Sequence, residues 1–268
     1  MDIPWRRVAT TPRLRHGYSV ETGALRENDA LQKSTVFVSS RARSRAGTGG
    51  RFHDDQFLWT RHAVFDEWVR ASGAGAVAAR AMSSQTARIF YDQLFVKEPG
   101  TAAPTPWHND TSYWHLTGSQ ICSIWVALDD VPADRGLSYV RGSHRWNLTH
   151  RVTNFSGDDH SEKNTYANAE DLPPVPDVSA TPPEDLLRWD VAPGDALLFY
   201  SAMLHGAPGN PGKSATRRRG YATRWCGDDV RFVDRPGTMH AGWVAAGFDS
   251  GLADGAALDG AAIHPDCA

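Results

Sequence analysis

The sequence has little cysteine: three residues in a chain of 268. Cys122, Cys226 and Cys267 form no CxxC pair, so neither a disulfide framework nor a structural zinc motif is expected. Residues 1–20 contain Arg6 and Arg7 but no apolar segment behind them, which argues against a secretion signal. The sequence therefore predicts a protein of a reducing compartment, and we expect it to be cytoplasmic.

An excess of charge of one sign is also absent. There are 28 basic and 31 acidic residues, for a formal net charge of −3. This balance gives no electrostatic reason to bind nucleic acid or an anionic membrane. The longest apolar stretch, residues 196–204, is too short to cross a bilayer, which takes about 20 residues. We therefore expect neither nucleic acid nor membrane as a partner, and the composition does not predict an oligomeric state.

Aromatic residues are abundant, with ten tryptophans and a hydrophobic fraction of 41%. A disordered chain is poor in such residues, so the composition is typical of a globular protein. β-Barrels and sandwiches often reach this length as a single domain. We therefore expect one domain spanning residues 1–268.

The hydrophobic pattern changes its period along the chain. After a short predicted strand at 34–39, residues 60–82 have a helical period, with a break near Gly73 and Gly75. From Arg88 onward the period is two, and short strands are predicted near residues 88–96, 120–128, 136–140, 197–204 and 221–225. Helices followed by several short strands favour a mainly β sandwich or barrel with helices on one side.

Two segments interrupt or follow this pattern. Residues 154–185 are polar and contain five prolines, which favours a lid, a binding loop or a disordered segment. The tail from residue 237 is rich in small residues and has no clear period.

The motif Trp107-His108-Asn109-Asp110 carries candidate metal ligands. In an extended segment His108 and Asp110 point to the same side. One imidazole and one carboxylate are two members of a 2-His-1-carboxylate triad, which holds Fe(II) with three positions left open. His205, which follows the apolar segment after Gly194-Asp195, is the candidate third ligand, although a single histidine in this context is also compatible with a core or surface role.

Three consecutive arginines follow His205. Arg218 begins the next apolar stretch, where a fixed guanidinium could bind a carboxylate through two hydrogen bonds. The alternative is a solvated cationic loop, and Arg217 or Arg219 could take the same role.

These motifs occur in a family order. His108-Asn109-Asp110, residues 136–144 (GLSYVRGSH), Gly194-Asp195, His205-Gly206 and Arg218-Arg219 together resemble the phytanoyl-CoA dioxygenase family. Residues 92–100 (DQLFVKEPG) also resemble the strand that precedes the HxD motif there. The resemblance covers about residues 85–235.

The resemblance implies a fold and a cofactor set. The fold is a double-stranded β-helix, or jelly roll, over residues 85–235, with a helical or irregular flank at 1–84, a lid at 154–185 and a tail at 236–268. His108, Asp110 and His205 match the Fe(II) ligands, and O2 is a co-substrate. Arg218 matches the residue that binds the distal carboxylate of 2-oxoglutarate.

The same resemblance assigns further positions. Gln93 and Trp125 match other positions of the 2-oxoglutarate pocket, whereas Ala207 stands where some members have a serine. Halogenating relatives lack the carboxylate of the HxD motif, so Asp110 favours hydroxylation.

The predicted function is therefore an Fe(II)- and 2-oxoglutarate-dependent dioxygenase that hydroxylates or otherwise oxidises a C–H bond of a small organic substrate, in specialised metabolism. A metal-dependent hydrolase and a non-catalytic ligand-binding barrel are the alternatives.

Lys97 is interpreted as a strand-end charge or salt-bridge partner. Five residues are candidates for the substrate pocket, although aromatic residues near an apolar strand more often belong to the core: Trp107, Tyr113, Trp114, His115 and Trp225.

Overall fold

The structure is a computed structural model that describes residues 50–152, 172–210, 216–235, 237–259 and 265–267. The strand predicted by pattern at 34–39 and most of the lid predicted at 154–185 lie outside these ranges. Within them, no helix combines the length and the apolar character needed to cross a membrane.

The described residues form eleven strands and three α-helices. The strands are β1 (Phe52–Gln56), β2 (Arg88–Lys97), β3 (Thr105–His108), β4 (Leu116–Thr117), β5 (Ile121–Ala127), β6 (Ser138–Val140), β7 (Leu186–Leu187), β8 (Ala196–Tyr200), β9 (His205–Ala207), β10 (Arg218–Cys226) and β11 (Arg231–Phe232). The helices are α1 (Ala63–Ala71), α2 (Ala74–Met82) and α3 (His240–Ala245). Short 3-10 turns cover Leu58–Thr60, Asp110–Ser112, Ser143–Arg145, Val178–Ala180 and Pro183–Asp185.

The strands pair into three antiparallel sheets. The largest has the order β1-β2-β10-β5-β8, the second β3-β9-β6-β7, and β11 pairs with β4. In the large sheet β10 is central, with Arg218 opposite Lys97 of β2 and Gly220 opposite Ala127 of β5. The two larger sheets form the jelly-roll core, so the predicted fold class is confirmed.

The large sheet is covered on both faces. On one face, α1 and α2 pack against residues such as Ile89, Ile124 and Trp225. On the other face, Trp125 and Phe199 join Tyr139 and other residues of the second sheet in a shared core. Because strand side chains alternate between faces, each of the central strands contributes to both cores.

The helices follow the predicted pattern. The helical segment breaks at Gly73, whose φ of 78° is readily adopted only by glycine, so the chain leaves α1 there and enters α2. Gly73 thereby turns one predicted helical stretch into two short helices that lie on the same sheet face.

Three features differ from the sequence-based expectation. The apolar stretch 197–204 is not one strand: β8 ends at Tyr200, and His205 begins a strand of the other sheet. Strand β1 extends the core below residue 85. The tail is part of the fold, because Trp243 of α3 is buried and its indole N–H donates to Gln56 Oε1 at 2.9 Å.

Candidate functional site

His108 and Asp110 lie at the end of β3. Asn109 between them is extended, with φ −112° and ψ 139°, and Asp110 begins a 3-10 turn. The extended link keeps the side chains of His108 and Asp110 on the same side, as the HxD spacing predicts. His108 is also directly opposite His205 in the β3–β9 ladder. This pairing brings together residues that are almost one hundred positions apart.

The two imidazoles are held in one defined tautomer. The His108 Nδ1 lies 2.7 Å from the carbonyl oxygen of Pro106, and the His205 Nδ1 lies 2.9 Å from that of Met203. A carbonyl oxygen only accepts hydrogen bonds, so each Nδ1 carries the proton and each Nε2 presents its lone pair. This arrangement is the one found in metal-binding histidines.

The three ligand groups converge on one point. The His108 Nε2 is 3.6 Å and the His205 Nε2 is 4.0 Å from Asp110 Oδ1. All three ligand atoms lie within 4.8 Å of one another, and all three residues are buried. Ligands held ~2.1 Å from an ion at right angles would be about 3.0 Å apart, so a small inward movement completes the coordination. The residues fit a divalent ion, and theirs is the one such cluster in the described ranges.

The electrostatics favour the ligating protonation states. Burial would raise the pKa of Asp110, but its close neighbours His108, His205 and Arg224 outweigh burial and lower the pKa. Burial and the neighbouring His108 lower the pKa of His205 to about 4. The carboxylate is therefore ionised and His205 neutral at pH 7. The Ser123 hydroxyl donates to Asp110 Oδ2 at 2.9 Å, which leaves Oδ1 facing the imidazoles.

The structure distinguishes the three arginines. Arg217 pairs with Glu98 at 3.0 Å near the surface. Arg219 pairs with Asp129, with contacts from 2.7 to 3.2 Å. Arg218 is buried, and its one hydrogen bond among the described residues goes from Nη1 to the Pro208 carbonyl at 3.4 Å. Of these three arginines, only Arg218 faces the interior and has no carboxylate partner among the described residues.

Two further polar side chains, those of Lys97 and Tyr139, lie near Arg218. Lys97 is 2% exposed, and its Nζ donates to the Pro208 carbonyl at 2.8 Å. Burial and the charge of Arg218 lower the pKa of this amine to about 6. The Tyr139 hydroxyl is buried without a hydrogen-bond partner among the described residues, and burial raises its pKa. Three donors thus lie close together, an arrangement that suits an anion.

Gln93 and Trp125 lie on the same face of the sheet. Both are opposite Ala222, on either side of β10. Gln93 Nε2 donates to Asp54 Oδ2 at 2.7 Å. Trp125 covers Gly220 so closely that a Cβ at that position would lie 2.2 Å from the ring. The centroid of the Trp125 ring also lies 5.9 Å from the Arg218 guanidinium carbon. Glycine is required at position 220, because any Cβ there would overlap the ring.

Among the predicted substrate-pocket residues, Tyr113 lies beside the centre. Its ring is edge-on to His108 with a centroid separation of 5.5 Å. Trp114 is one layer further out, in an aromatic core, and its indole N–H donates to the Tyr91 hydroxyl at 3.1 Å.

The structure does not bring three other predicted pocket residues to the ligand cluster. Trp107 points away from the centre, because it alternates with His108 and packs over Gly206. Trp225 alternates with Arg224 and packs against the helices. His115 is enclosed by aromatic side chains of the outer core rather than by the metal-ligating residues.

Sequence reasoning missed Lys97, Tyr139, Ser123 and Arg224. Lys97 does end β2, as the strand-end interpretation predicts. Its side chain is nevertheless buried, because the period of two from Gln93 places it on the inner face beside Arg218 and the Pro208 carbonyl. Arg224 likewise falls on the Arg218 face by alternation.

Comparison with known families gives a match over most of the chain. The family model described as phytanoyl-CoA dioxygenase matches residues 17–220. No curated protein matches the sequence.

Solved structures resemble the fold at low sequence identity. The non-haem α-ketoglutarate-dependent carbocyclase SnoK from nogalamycin biosynthesis has a TM-score of 0.64 and 22% identity, with 95% of this chain and 90% of that chain covered. The epimerase SnoN, bound to Fe3+, α-ketoglutarate and nogalamycin RO, has a TM-score of 0.59, 20% identity and coverage of 91% and 88%. EvdO2 from Micromonospora carbonacea var. aurantiaca, complexed with 2-oxoglutarate, has a TM-score of 0.52, 20% identity and coverage of 81% and 85%.

Proposed function

Because the chain belongs to the phytanoyl-CoA dioxygenase family and is an Fe(II)- and 2-oxoglutarate-dependent oxygenase, we propose that it oxidises a C–H bond of a small organic molecule of specialised metabolism. The observation that carries the proposal is the convergence of His108, Asp110 and His205. The three side chains occupy three positions of an ion and leave three open.

We assign Fe(II) to these three residues. When bound, Fe(II) and 2-oxoglutarate supply the oxidising chemistry, in which O2 is consumed and succinate and carbon dioxide are released. The fold orients the ligands before any ion arrives, because the carbonyls of Pro106 and Met203 hold the two imidazole tautomers. Ser123 orients the carboxylate of Asp110.

The distal carboxylate of 2-oxoglutarate is assigned to Arg218. Buried charges are retained where they are paired, and the described residues offer this guanidinium no carboxylate. Lys97 and the Tyr139 hydroxyl supply additional donors to the same anion, and Trp125 and Gln93 line the wall of the pocket. Each charge-assisted hydrogen bond of this kind contributes about 1.5–3 kcal/mol.

The substrate is assigned to the side of the centre where Tyr113 lies. Buried aromatic surface suits a mainly apolar organic molecule. SnoK and SnoN act in nogalamycin biosynthesis, one as a carbocyclase and one as an epimerase. By analogy with them, the outcome here is hydroxylation or another oxidation of a specialised metabolite.

The test is turnover of 2-oxoglutarate to succinate. We expect the wild-type protein, supplied with Fe(II) and O2, to form succinate slowly even without substrate. The His205→Ala variant should form none. His150→Ala serves as the control, because His150 is a buried histidine outside the ligand cluster whose ring Nδ1 contacts the Pro174 carbonyl oxygen. A metal-dependent hydrolase would form no succinate in any variant, which would refute the proposal.

A further inference from the structure

Lys97 is a buried amine held between two strands of the large sheet. Across the ladders it is directly opposite Phe52 of β1 on one side and Arg218 of β10 on the other. The Phe52 ring centroid lies 4.7 Å from Nζ, which donates its one hydrogen bond among the described residues to the Pro208 carbonyl oxygen at 2.8 Å. The amine therefore has an aromatic ring on one side and a guanidinium on the other.

Among the described residues, no carboxylate neutralises this pair of basic side chains. Glu98, the acidic residue next in sequence, pairs with Arg217 instead. Arg218 Nη1 donates to the same Pro208 carbonyl as Lys97 Nζ, so the two groups converge on one acceptor. Burial and the charge of Arg218 lower the pKa of Lys97 to about 6, whereas burial lowers the pKa of Arg218 only to about 10. At pH 7 the pair is thus mainly a neutral amine beside a fixed cation.

A neutral amine beside a fixed cation is suited to capture CO2. A lysine that is desolvated or next to another cation is a nucleophile, because its lone pair is not protonated. When the Nζ lone pair attacks the carbon of CO2, a C–N bond forms, one C–O π pair moves to oxygen, and one Nζ proton leaves to the buffer. The product is a carbamate anion, whose two oxygens match the planar edge of a guanidinium as a carboxylate does. No oxidant is needed, and the enzyme's own turnover of 2-oxoglutarate releases CO2.

We propose that Lys97 is a carbamylation site, at which CO2 binds covalently to Nζ, the carbamate pairs with Arg218, and CO2 and 2-oxoglutarate exclude each other. The inference rests on the proposed function, which assigns the distal carboxylate of 2-oxoglutarate to the same guanidinium. The carbamate uses the space that this carboxylate would fill, so it requires no room beyond that of the co-substrate. The Tyr139 hydroxyl, which has no partner among the described residues, is a further donor to the carbamate.

The experiment traps the carbamate and locates it by mass spectrometry. The anaerobic Fe(II) protein at pH 8 is equilibrated with isotopically labelled bicarbonate and CO2, alkylated with a trialkyloxonium salt that converts carbamates to stable esters, and digested. We expect the labelled ester on Lys97, and its loss when 2-oxoglutarate is added in excess. At the CO2 concentration that gives half of the maximum label, the apparent dissociation constant of 2-oxoglutarate should be doubled, as mass action requires of two ligands that compete. The same digest compares the remaining lysines of the chain, Lys33, Lys163 and Lys213.

The Lys97→Met variant should carry no label, and CO2 should not change its affinity for 2-oxoglutarate. Glu98→Gln is the matched control, because it alters the adjacent residue that pairs with Arg217, and it should keep both effects. Formate in place of bicarbonate measures simple anion binding, and competition as strong as that of CO2 would overturn the inference.

Absence of the label from Lys97 in the wild type would also overturn it, as would a label that bound 2-oxoglutarate leaves in place. If Lys97→Met does not fold, the label on wild-type Lys97 and its displacement by 2-oxoglutarate decide the matter. Binding of 2-oxoglutarate is first measured in CO2-free buffer. Failure there would refute the proposed function, while the label on Lys97 is read without it.

Discussion

Binding of 2-oxoglutarate should be coupled to protonation of Lys97. This amine is buried beside Arg218, and burial together with that charge lowers its pKa to about 6. Above pH 6 the side chain is therefore mainly neutral before the co-substrate binds. A carboxylate placed against Lys97 and Arg218 favours the charged ammonium and raises the pKa back toward its usual value.

The sign and the size of the effect follow from linkage. The complex holds a proton that the free protein lacks, so affinity falls as pH rises above 6. With a free-state pKa of about 6 and a much higher bound-state value, the dissociation constant should rise about 30-fold between pH 7 and 8.5. Both carboxylates of 2-oxoglutarate are ionised throughout this range and contribute no slope.

The assay is anaerobic calorimetric titration of the Fe(II) protein with 2-oxoglutarate. Repeating it in two buffers of different ionisation enthalpy counts the protons taken up, and we expect about one per ligand at pH 8. Lys97→Met should remove both the uptake and the pH dependence. Glu98→Gln is the matched control: it alters the adjacent residue, which pairs with Arg217 near the surface, and should leave both unchanged. A slope that persists in Lys97→Met would show that another group titrates and would refute this reasoning.

Three further changes test other contacts. Gly220→Ala should weaken 2-oxoglutarate binding and lower the Tm, because the Cβ of the new alanine would lie 2.2 Å from the Trp125 ring. Unchanged binding would mean that the ring is free to move. Burial raises the pKa of Asp92 from 3.8 to about 6, so the folded state holds a proton that the unfolded chain loses, and stability is lost as pH rises through 6. Between pH 4 and 7, the free energy of unfolding of the wild type should fall by about 2.4 kcal/mol relative to that of Asp92→Asn. An equal pH dependence of the two unfolding free energies would contradict this. Ser123→Ala removes the hydrogen bond to Asp110 and should weaken Fe(II) binding about tenfold or more in a metal titration, and an unchanged affinity would count against an orienting role.

The metal-binding cluster was the part of the site most open to sequence reasoning. The HxD spacing depends only on local geometry, since an extended link puts His108 and Asp110 on one side. The contact of this pair with His205 depends on a cross-strand pairing that no local pattern reveals. His205 was assigned as the third ligand from the order of the motifs, which resembles that of the family. The break after Tyr200 was missed because the residues up to Leu204 are mostly apolar and continue the strand pattern.

The remaining polar residues depended on long-range register. Whether Lys97 is an exposed strand end or a buried amine is decided by its neighbour across the ladder, Arg218, more than one hundred residues away. Likewise, Arg224 and Trp225 are adjacent in sequence, and only the assembled sheet shows that one faces the metal-binding residues while the other packs on the helices. Tail residues such as Trp243 have no periodic context, and their burial follows from contacts with β1.

The central claim, that His108, Asp110 and His205 hold one Fe(II) with room for 2-oxoglutarate, is tested most directly by anaerobic spectroscopic titration. Adding Fe(II) and then 2-oxoglutarate to the wild type should produce a metal-to-ligand charge-transfer band that saturates at one Fe(II) per chain. The Asp110→Ala and His205→Ala variants should not develop it. Absence of the band in the wild type, or its persistence in both variants, would contradict the assignment.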